Sequence, residues 1–336
     1  MVTLKDVAEK AEVSIATVSS VINDSRPVAK ETREKVLQVI EEMNYRPNSV
    51  AQALKSGKTK RILYIVPSIT NLVFAQFINE VQHALTKQGY DLILLNNEAR
   101  SDLTKSYLSI IRPSNIDGVI MTQTRTCGRI IADKCRDEGI PFVVLFEPNI
   151  FEDTSMVITD EEQGMAEAVK HLISYGHEKI GFVMVKDSRN QAKRYQGFLN
   201  ALEENNIQFN ENYLIECSDH DERDAYAHIK SYVEQQGLDF TALICCNDFL
   251  SHGAIKVFRE LQIKIPEKIS IIGYDDSIAQ YIYPPLTSVS LPKKKLAETS
   301  VKMLLSNIKN GNAENKVIKY PQRLVVRSST YINKDL

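Results

Sequence analysis

The side chains best suited to chemistry stand just past apolar runs. Asn247 and Asp248 follow Ala242–Cys246 directly, Asp275 follows Ile272-Gly273-Tyr274, and Arg194 lies in the first turn of a helix opening near Ala192. Carboxylate and guanidinium groups each pair with two neighbouring oxygens, which suits the vicinal hydroxyls of a sugar. Taken singly, each of these residues reads more simply as a surface ion pair or a helix cap. A second set is small and polar: Thr17, Ser19, Ser20 and Asn23, together with Ile15 and Ala16, lie mostly off the apolar stripe of a short helix. Side chains of that size can approach base edges and phosphates closely. Catalytic machinery is not evident. Ile65-Val66-Pro67-Ser68 stands where a glycine-rich dinucleotide turn would follow the first strand, and no Walker loop or nucleophile elbow occurs. The five cysteines contain no Cys-x-x-Cys and the six histidines are scattered, so no metal or cofactor site is expected.

The elements that must carry these residues fall into a helical head and an alternating body. Thr3 with Asp6 resembles a capping box and opens a helix with Leu4, Val7, Ala8 and Ala11 on one face. After a break at Glu12-Val13, Ser14 caps a second helix to about Asn23, with Val18, Val21 and Ile22 inward. A third helix is expected from about Ala29 to Asn44, burying Val36, Leu37, Ile40 and Met43. Two helices joined by a tight turn and braced by a third form a helix-turn-helix, although periodicity alone fits any three-helix domain. Pro47 stops the third helix, and Asn48–Lys55 gives a short segment with Val50, Ala51 and Leu54 on one face.

Beyond Arg61, β-rich runs alternate with amphipathic helices. Candidate strands are Ile62–Val66, Asp91–Leu95, Gly118–Met121, Phe142–Phe146, Val157–Thr159, Ile180–Val185, Leu214–Glu216, Ala242–Cys246 and Ile269–Gly273. The alternation predicts two doubly wound parallel-sheet lobes, about 62–159 and 160–288, with C-terminal pieces near Ser288–Leu291 and Val317–Val326 crossing back. Such bodies bind ligands at the carboxyl ends of strands without needing a catalytic group, which favours a binding protein over an enzyme. Net charge is −2, divided as +3 through Arg61 and −5 beyond it. A modestly basic head on an acidic body suits a nucleic-acid contact. No stretch reaches the ~18 apolar residues of a membrane helix, and Met1–Lys10 holds no secretory apolar core. A cytoplasmic location is expected.

The wording of the head resembles the LacI family of bacterial repressors. Leu4-Lys5-Asp6-Val7-Ala8, Val13 through Asn23, Thr32-Arg33-Glu34-Lys35-Val36 and Asn44-Tyr45-Arg46-Pro47-Asn48 carry the likeness. In the body it continues through Tyr175–Ile180, Arg194–Phe198, Asn247-Asp248, Ile272–Asp276 and Pro285–Val289. The resemblance implies a periplasmic-binding-protein type of body behind a helix-turn-helix head, organised as 1–47, a hinge at 48–60, and an effector and dimerisation domain at 61–336. It places Ile15, Ala16 and Ser20 at base-reading positions, and Thr17, Ser19, Asn23 and Tyr45 where phosphate is gripped or the turn braced. Asn48, Ala51, Leu54 and Lys55 become hinge contacts to DNA, with two hinge helices pairing across a dimer and Leu54 entering the minor groove.

In the body the likeness makes Arg194, Asn247 and Asp275 the triad for an effector's hydroxyls, supported by Asp248, with Ser68, Asn71 and Phe74 on the first lobe. The implied function is a homodimeric repressor binding operator DNA under control of a small polar effector, a sugar being the expectation. Three departures matter. Ser20 stands where many members carry Arg, and Ala29 where a Ser caps the third helix. The loop after Leu214–Glu216 reads Cys217-Ser218-Asp219-His220 in a chain without Trp, leaving His220 to stack where relatives use an aromatic ring. His177 in the Gly-His pair reads as a structural corner. Coupling to a phosphocarrier protein is not expected, since Met303 occupies a basic position of such relatives on the helix Ala297–Ile308.

Overall fold

The computed structural model describes residues 2–46, 57–97, 104–122, 127–146, 154–186, 188–311 and 315–333, with the side chains of 104–106, 189 and 190 excepted. The hinge residues Asn48, Val50, Ala51, Leu54 and Lys55 therefore lie outside the described residues. Two compact units emerge, Met1–Lys60 and Arg61–Leu336.

In the first unit, helix α1 spans Leu4–Lys10, α2 Ile15–Asn23 and α3 Lys30–Glu42. The capping box forms: Thr3 N donates to Asp6 Oδ2 at 2.7 Å, and Asp6 N donates to Thr3 Oγ1 at 3.3 Å. Glu12, at φ +56, turns the chain between α1 and α2, and Ser14 Oγ accepts from Thr17 N at 3.1 Å. Val7, Ala8, Ala11, Val18, Val21, Val36 and Val39 close the core, with Ile40, Met43 and Tyr45 packed at its margin. Leu37 is 48% exposed, contrary to expectation. Residues 36, 39, 40 and 43 share one helix face, and position 37 is rotated off it by about 100°.

Ala29 caps α3 without a side-chain hydrogen bond. Ala29→Ser should supply the missing acceptor and stabilise the head by about 1 kcal/mol. Amide exchange within Lys30–Glu42 would then slow about fivefold. Unchanged exchange would show that this helix start is held by something else.

The second unit holds two lobes, each built on a six-stranded sheet. The first sheet contains β1 (Arg61–Val66), β2 (Asp91–Asn96), β3 (Gly118–Thr122), β4 (Phe142–Leu145), β5 (Met156–Thr159) and β11 (Val317–Tyr320) in the order 11-5-4-3-1-2, all parallel. The second contains β6 (Ile180–Val185), β7 (Leu214–Cys217), β8 (Ala242–Cys245), β9 (Ser270–Asp275), β10 (Thr287–Ser290) and β12 (Arg323–Val325) in the order 12-10-9-8-6-7. β12 runs antiparallel to β10, and the other pairings among the described residues of this sheet are parallel. The strand residues Ile62–Val66, Gly118–Thr122, Ile180–Val185 and Ser270–Asp275 are buried throughout, as strands covered on both faces require.

Helices follow the strands: α4 (Leu72–Thr86), α5 (Thr104–Ile110) and α6 (Gly128–Asp137) in the first lobe, then α7 (Glu161–Ser174), α8 (Arg189–Glu204), α9 (Glu222–Gln236) and α10 (Asp248–Glu260) in the second. Helix α11 (Lys293–Asn310) leaves β10 of the second sheet but packs against α4, β3, β4 and β5 of the first lobe. The chain thus passes between lobes three times, at β5–α7, β10–α11 and β11–β12. The sequence pattern anticipates the C-terminal return but not that its two strands divide between the sheets. No helix of the described residues is long and apolar enough to cross a membrane.

Candidate DNA-reading helix and effector site

On α2, Ile15 and Ala16 are exposed and Thr17, Ser19 and Ser20 are half-buried. Ser14 and Thr17 share a 2.9 Å hydroxyl contact, which fixes the start of the helix. Asn23 donates from Nδ2 to Ser19 O at 2.8 Å, so its side chain lies back along the helix. No acidic side chain occupies the first turn of α2, and its N-terminus carries the partial positive charge of aligned peptides. Tyr45 packs on the head's core.

In the body, a topological switch occurs beside β1 and again beside β6, because successive connections leave those strands toward opposite sheet edges. Ligand crevices form at the carboxyl ends of strands at such points. Ser68 and Asn71 follow that end of β1, Gln191 and Arg194 stand on the helix after β6, Asn247 follows β8, and Asp275 ends β9.

Arg194 is buried. Its Nε donates to Glu161 Oε2 at 2.5 Å, Nη2 donates to Asp275 Oδ1 at 3.1 Å, and Nη1 donates to the Cys246 carbonyl. The guanidinium carbon lies 3.7 Å from the centroid of the Tyr274 ring. Of the five N–H groups an arginine offers, described residues engage three. Burial opposes its charge, yet Glu161 and Asp275 together hold its pKa above the ordinary arginine value. Burial raises the Asp275 carboxyl in turn, with Arg194 opposing that rise. Arg194 sits in the second turn of α8, which begins at Arg189 rather than near Ala192.

Asp248 is fully buried. Its Oδ2 accepts from Ser277 N at 2.6 Å, Ile278 N at 3.2 Å and Ser277 Oγ at 3.2 Å, while Oδ1 accepts from Ser288 Oγ at 2.7 Å. It staples the loop after Asp275 to β10. Gly273 makes room for it: a Cβ there would meet Asp248 Oδ1 at 2.6 Å. Asn247 caps α10, with Oδ1 accepting from Leu250 N at 2.7 Å and Nδ2 donating to the His220 carbonyl at 3.4 Å.

His220 takes its orientation from a residue that sequence reasoning missed. Gln191 Oε1 accepts from Val185 N, which leaves Gln191 Nε2 as the donor to His220 Nδ1 at 2.9 Å. In the neutral imidazole the proton then belongs on Nε2. The available signal was spacing, since Gln191 precedes Arg194 by one helical turn.

The first-lobe residues organise their own turn. Ser68 Oγ accepts from Thr70 N and Asn71 N, each at 3.3 Å, and Asn71 Oδ1 caps α4 through Val73 N at 3.0 Å. Phe74 is buried beneath that turn. From the same helix, Gln76 Nε2 donates to the Ser277 carbonyl at 3.1 Å and so reaches the second lobe's stapled loop. The structure thus gathers Arg194 and Asp275 directly, joins Asn247 to His220, and ties the first-lobe helix to the Asp248 loop. His177 forms a corner, touching Thr241 Oγ1 at 2.9 Å and both Ser270 Oγ and the Tyr331 carbonyl at 3.0 Å.

Among the described residues, Cys217, Asp224 and His228 bring three metal-type ligand atoms within 4.8 Å of one another. Their chemistry is unfavourable for an ion. Burial pushes the Cys217 thiol up to about 12, and Asp224 Oδ2 already accepts from Ser218 N and Asp219 N. A cysteine ligates a metal as its thiolate, a carboxylate through a spare lone pair and a histidine through its neutral imidazole.

Comparison with known proteins accords with this geometry. Residues 3–48 match the profile of bacterial regulatory proteins of the lacI family, and residues 169–330 match a periplasmic binding protein-like domain. The HTH-type transcriptional repressor PurR of Aliivibrio salmonicida is 34% identical over 333 residues, covering 98% of this chain and 99% of that protein. The crystal structure of the lac repressor dimer bound to operator and an anti-inducer is 26% identical with a TM-score of 0.83, covering 98% of this chain and 99% of that one. A LacI-family regulator of Enterococcus faecalis with bound ribose is 30% identical with a TM-score of 0.72, over 82% of this chain and all of that one.

Proposed function

This chain belongs to the lacI family of bacterial regulatory proteins and is a DNA-binding transcriptional repressor, not an enzyme; we propose that its effector is a small, uncharged, hydroxyl-rich molecule, a sugar, bound at Arg194 and Asp275. The observation that carries this reading is the buried pair itself. Two carboxylates already balance the Arg194 guanidinium, so an anionic ligand gains no counter-ion there. The guanidinium N–H groups that no described residue engages, and the second Asp275 oxygen, offer donors and acceptors side by side, as neighbouring hydroxyls need. His220 supplies the ring face in a chain without tryptophan. The ribose-bound relative supports the same chemical class.

The reading extends to assembly. Tyr281 and Tyr283 are 79% and 76% exposed on the second lobe, an aromatic surface that a second copy would cover; the similar lac repressor structure is that of a dimer. Two heads would then read two half-sites with Ile15, Ala16 and Ser20, while Asn48, Ala51, Leu54 and Lys55 join them through the centre of the operator. A cytoplasmic location follows from that role.

Selection of the full-length chain on random duplex DNA should recover a pseudo-palindrome. Ribose, cellobiose and other neutral sugars, run beside nucleobases in a thermal-shift screen, should include one that raises the melting temperature and changes affinity for the selected duplex. A nucleobase hit with no sugar response would replace the sugar. Selected duplexes without paired half-sites would end the dimer reading.

A further inference from the structure

The three passages between the lobes each contribute one buried or largely buried polar side chain, and these meet around Asp275: one at its carbonyl, one at the neighbouring Tyr274 and one through Arg194. At β5–α7, Glu161 is 5% exposed and lies one residue away from Asp275 through Arg194, at 2.5 Å and 3.1 Å. At β10–α11, Lys293 Nζ donates to the Asp275 carbonyl at 2.5 Å and to the Asp276 carbonyl at 3.2 Å. At β11–β12, Gln322 is 3% exposed and accepts the hydroxyl of Tyr274, the residue before Asp275.

The first and third passages are also tied together, because Gln322 Nε2 donates to Glu161 Oε1 at 3.3 Å. Thr159 Oγ1, at the end of β5, donates to that same oxygen at 2.7 Å. Room for Gln322 is built into α7: a Cβ on Gly164 would lie 1.9 Å from Gln322 Oε1.

The backbone at the convergence is unusual. Asp275 and Asp276 have φ of +90 and +48, values uncommon for side-chain-bearing residues. Lys293 holds this backbone from one side through both carbonyls. Arg327 holds it from the other, donating to Asp276 Oδ1 at 2.7 Å. Lys293 opens the helix that packs on the first lobe, so a displacement of the Asp275 backbone acts directly on α11.

We infer that Glu161, Lys293 and Gln322 are positioning residues that fasten all three interlobe passages to Asp275, so that whatever occupies the Asp275 carboxylate sets the angle between the lobes. The inference rests on the effector reading of Arg194 and Asp275, and goes beyond it by naming the side chains through which occupancy becomes movement. A ligand that draws Asp275 toward itself must re-form the Arg194 contact and shift the Lys293 grip. Packed elements respond to such changes by moving between arrangements rather than by stretching.

The test is a distance measurement on the full-length protein with no small molecule present. Spin labels are placed through Lys87→Cys on the first lobe and Glu234→Cys on the second, both exposed positions; all five native cysteines are buried. Labelled chain is diluted with unlabelled chain so that each pair is intramolecular. Otherwise unaltered protein should give one narrow distance distribution. Glu161→Gln and Lys293→Met should each displace its mean by about 2 Å or more, the scale of hinge rearrangements, or broaden it comparably. Lys293→Arg, which keeps a cation at the two carbonyls, should restore the narrow distribution. Lys179→Met, which breaks only an exposed pair with Asp239, should leave it unchanged.

A merely structural role would lower the melting temperature and leave the distances alone. Wild-type distributions in both Glu161→Gln and Lys293→Met would overturn the inference, and the Lys293 pair decides it if Glu161→Gln does not fold. Failure of the effector reading shows elsewhere, as an absence of any response in the ligand screen while the lobes remain tied.

Discussion

Asp248→Ala should destabilise the body by about 3–5 kcal/mol, the cost of breaking a buried charged hydrogen-bond group, whereas Asp248→Asn should cost far less. The difference follows from where the four donors point. Three of them, Ser277 N, Ser277 Oγ and Ile278 N, converge on Oδ2, and a serine hydroxyl alone faces Oδ1. An asparagine keeps its oxygen at the first position and turns its amide toward Ser288 Oγ, which can accept instead of donate. Alanine leaves two buried backbone amides without acceptors and opens a void under Gly273.

The same carboxyl predicts a pH signature. Burial outweighs its hydrogen bonds and raises it from 3.8 to about 6. The folded protein therefore holds this proton more tightly than the unfolded chain. The group's contribution is fully present below about pH 4 and is lost as pH rises through about 6. Asparagine has no such dependence, so the stability difference between wild type and Asp248→Asn should change across that window by on the order of 3 kcal/mol. Urea unfolding followed by circular dichroism at several pH values measures both effects. Equal losses for Ala and Asn, or a pH-independent difference, would contradict the staple.

Local chemistry made the head legible from its residues. Thr3 with Asp6 and Ser14 act through partners three residues away, and such contacts can be read directly from spacing. Leu37 misled because a run of Val36-Leu37 offers two adjacent apolar residues, and only packing decides which one faces inward. In the body, alternation revealed the two-lobed α/β architecture, and Arg194, Asn247 and Asp275 stood out by chemical type. The contacts that explain them were not readable. Glu161 lies 33 residues from Arg194 and Gln322 lies 161 from Glu161, distances that no periodicity encodes. Asp248 shows the same limit: the likeness gave it a supporting role, but its partners at 277, 278 and 288 could not be read from the sequence. Lys293 sits among three consecutive lysines at a helix start, where a cation is unfavourable. That mismatch was the one local sign that its charge is needed elsewhere.

Asp275→Ala should abolish the response to the effector while leaving duplex binding intact, because two of the three interlobe ties, Lys293 to the Asp275 carbonyl and Gln322 to Tyr274, do not pass through its side chain. Its carboxylate loss removes the acceptor for ligand hydroxyls, and hydrogen bonds to a charged group contribute about 1.5–3 kcal/mol each. Two such bonds imply a rise in the ligand's half-maximal concentration of at least about a hundredfold. Folding tolerates the change better than at Asp248. Glu161 still balances Arg194, and Lys293 grips the Asp275 carbonyl rather than its side chain. The head closes its own core of valines and alanines within Met1–Lys60, so its contacts with DNA lose nothing directly. Titrating the selected duplex with wild type and variant, with and without the sugar identified in the screen, separates the two effects. A variant that responds at the wild-type sugar concentration would remove Asp275 from the site. One that loses duplex binding without any sugar present would instead mean that Asp275 holds the unliganded lobes in their DNA-binding arrangement, which would make the aspartate a structural element of the repressor's resting state and not a ligand contact alone.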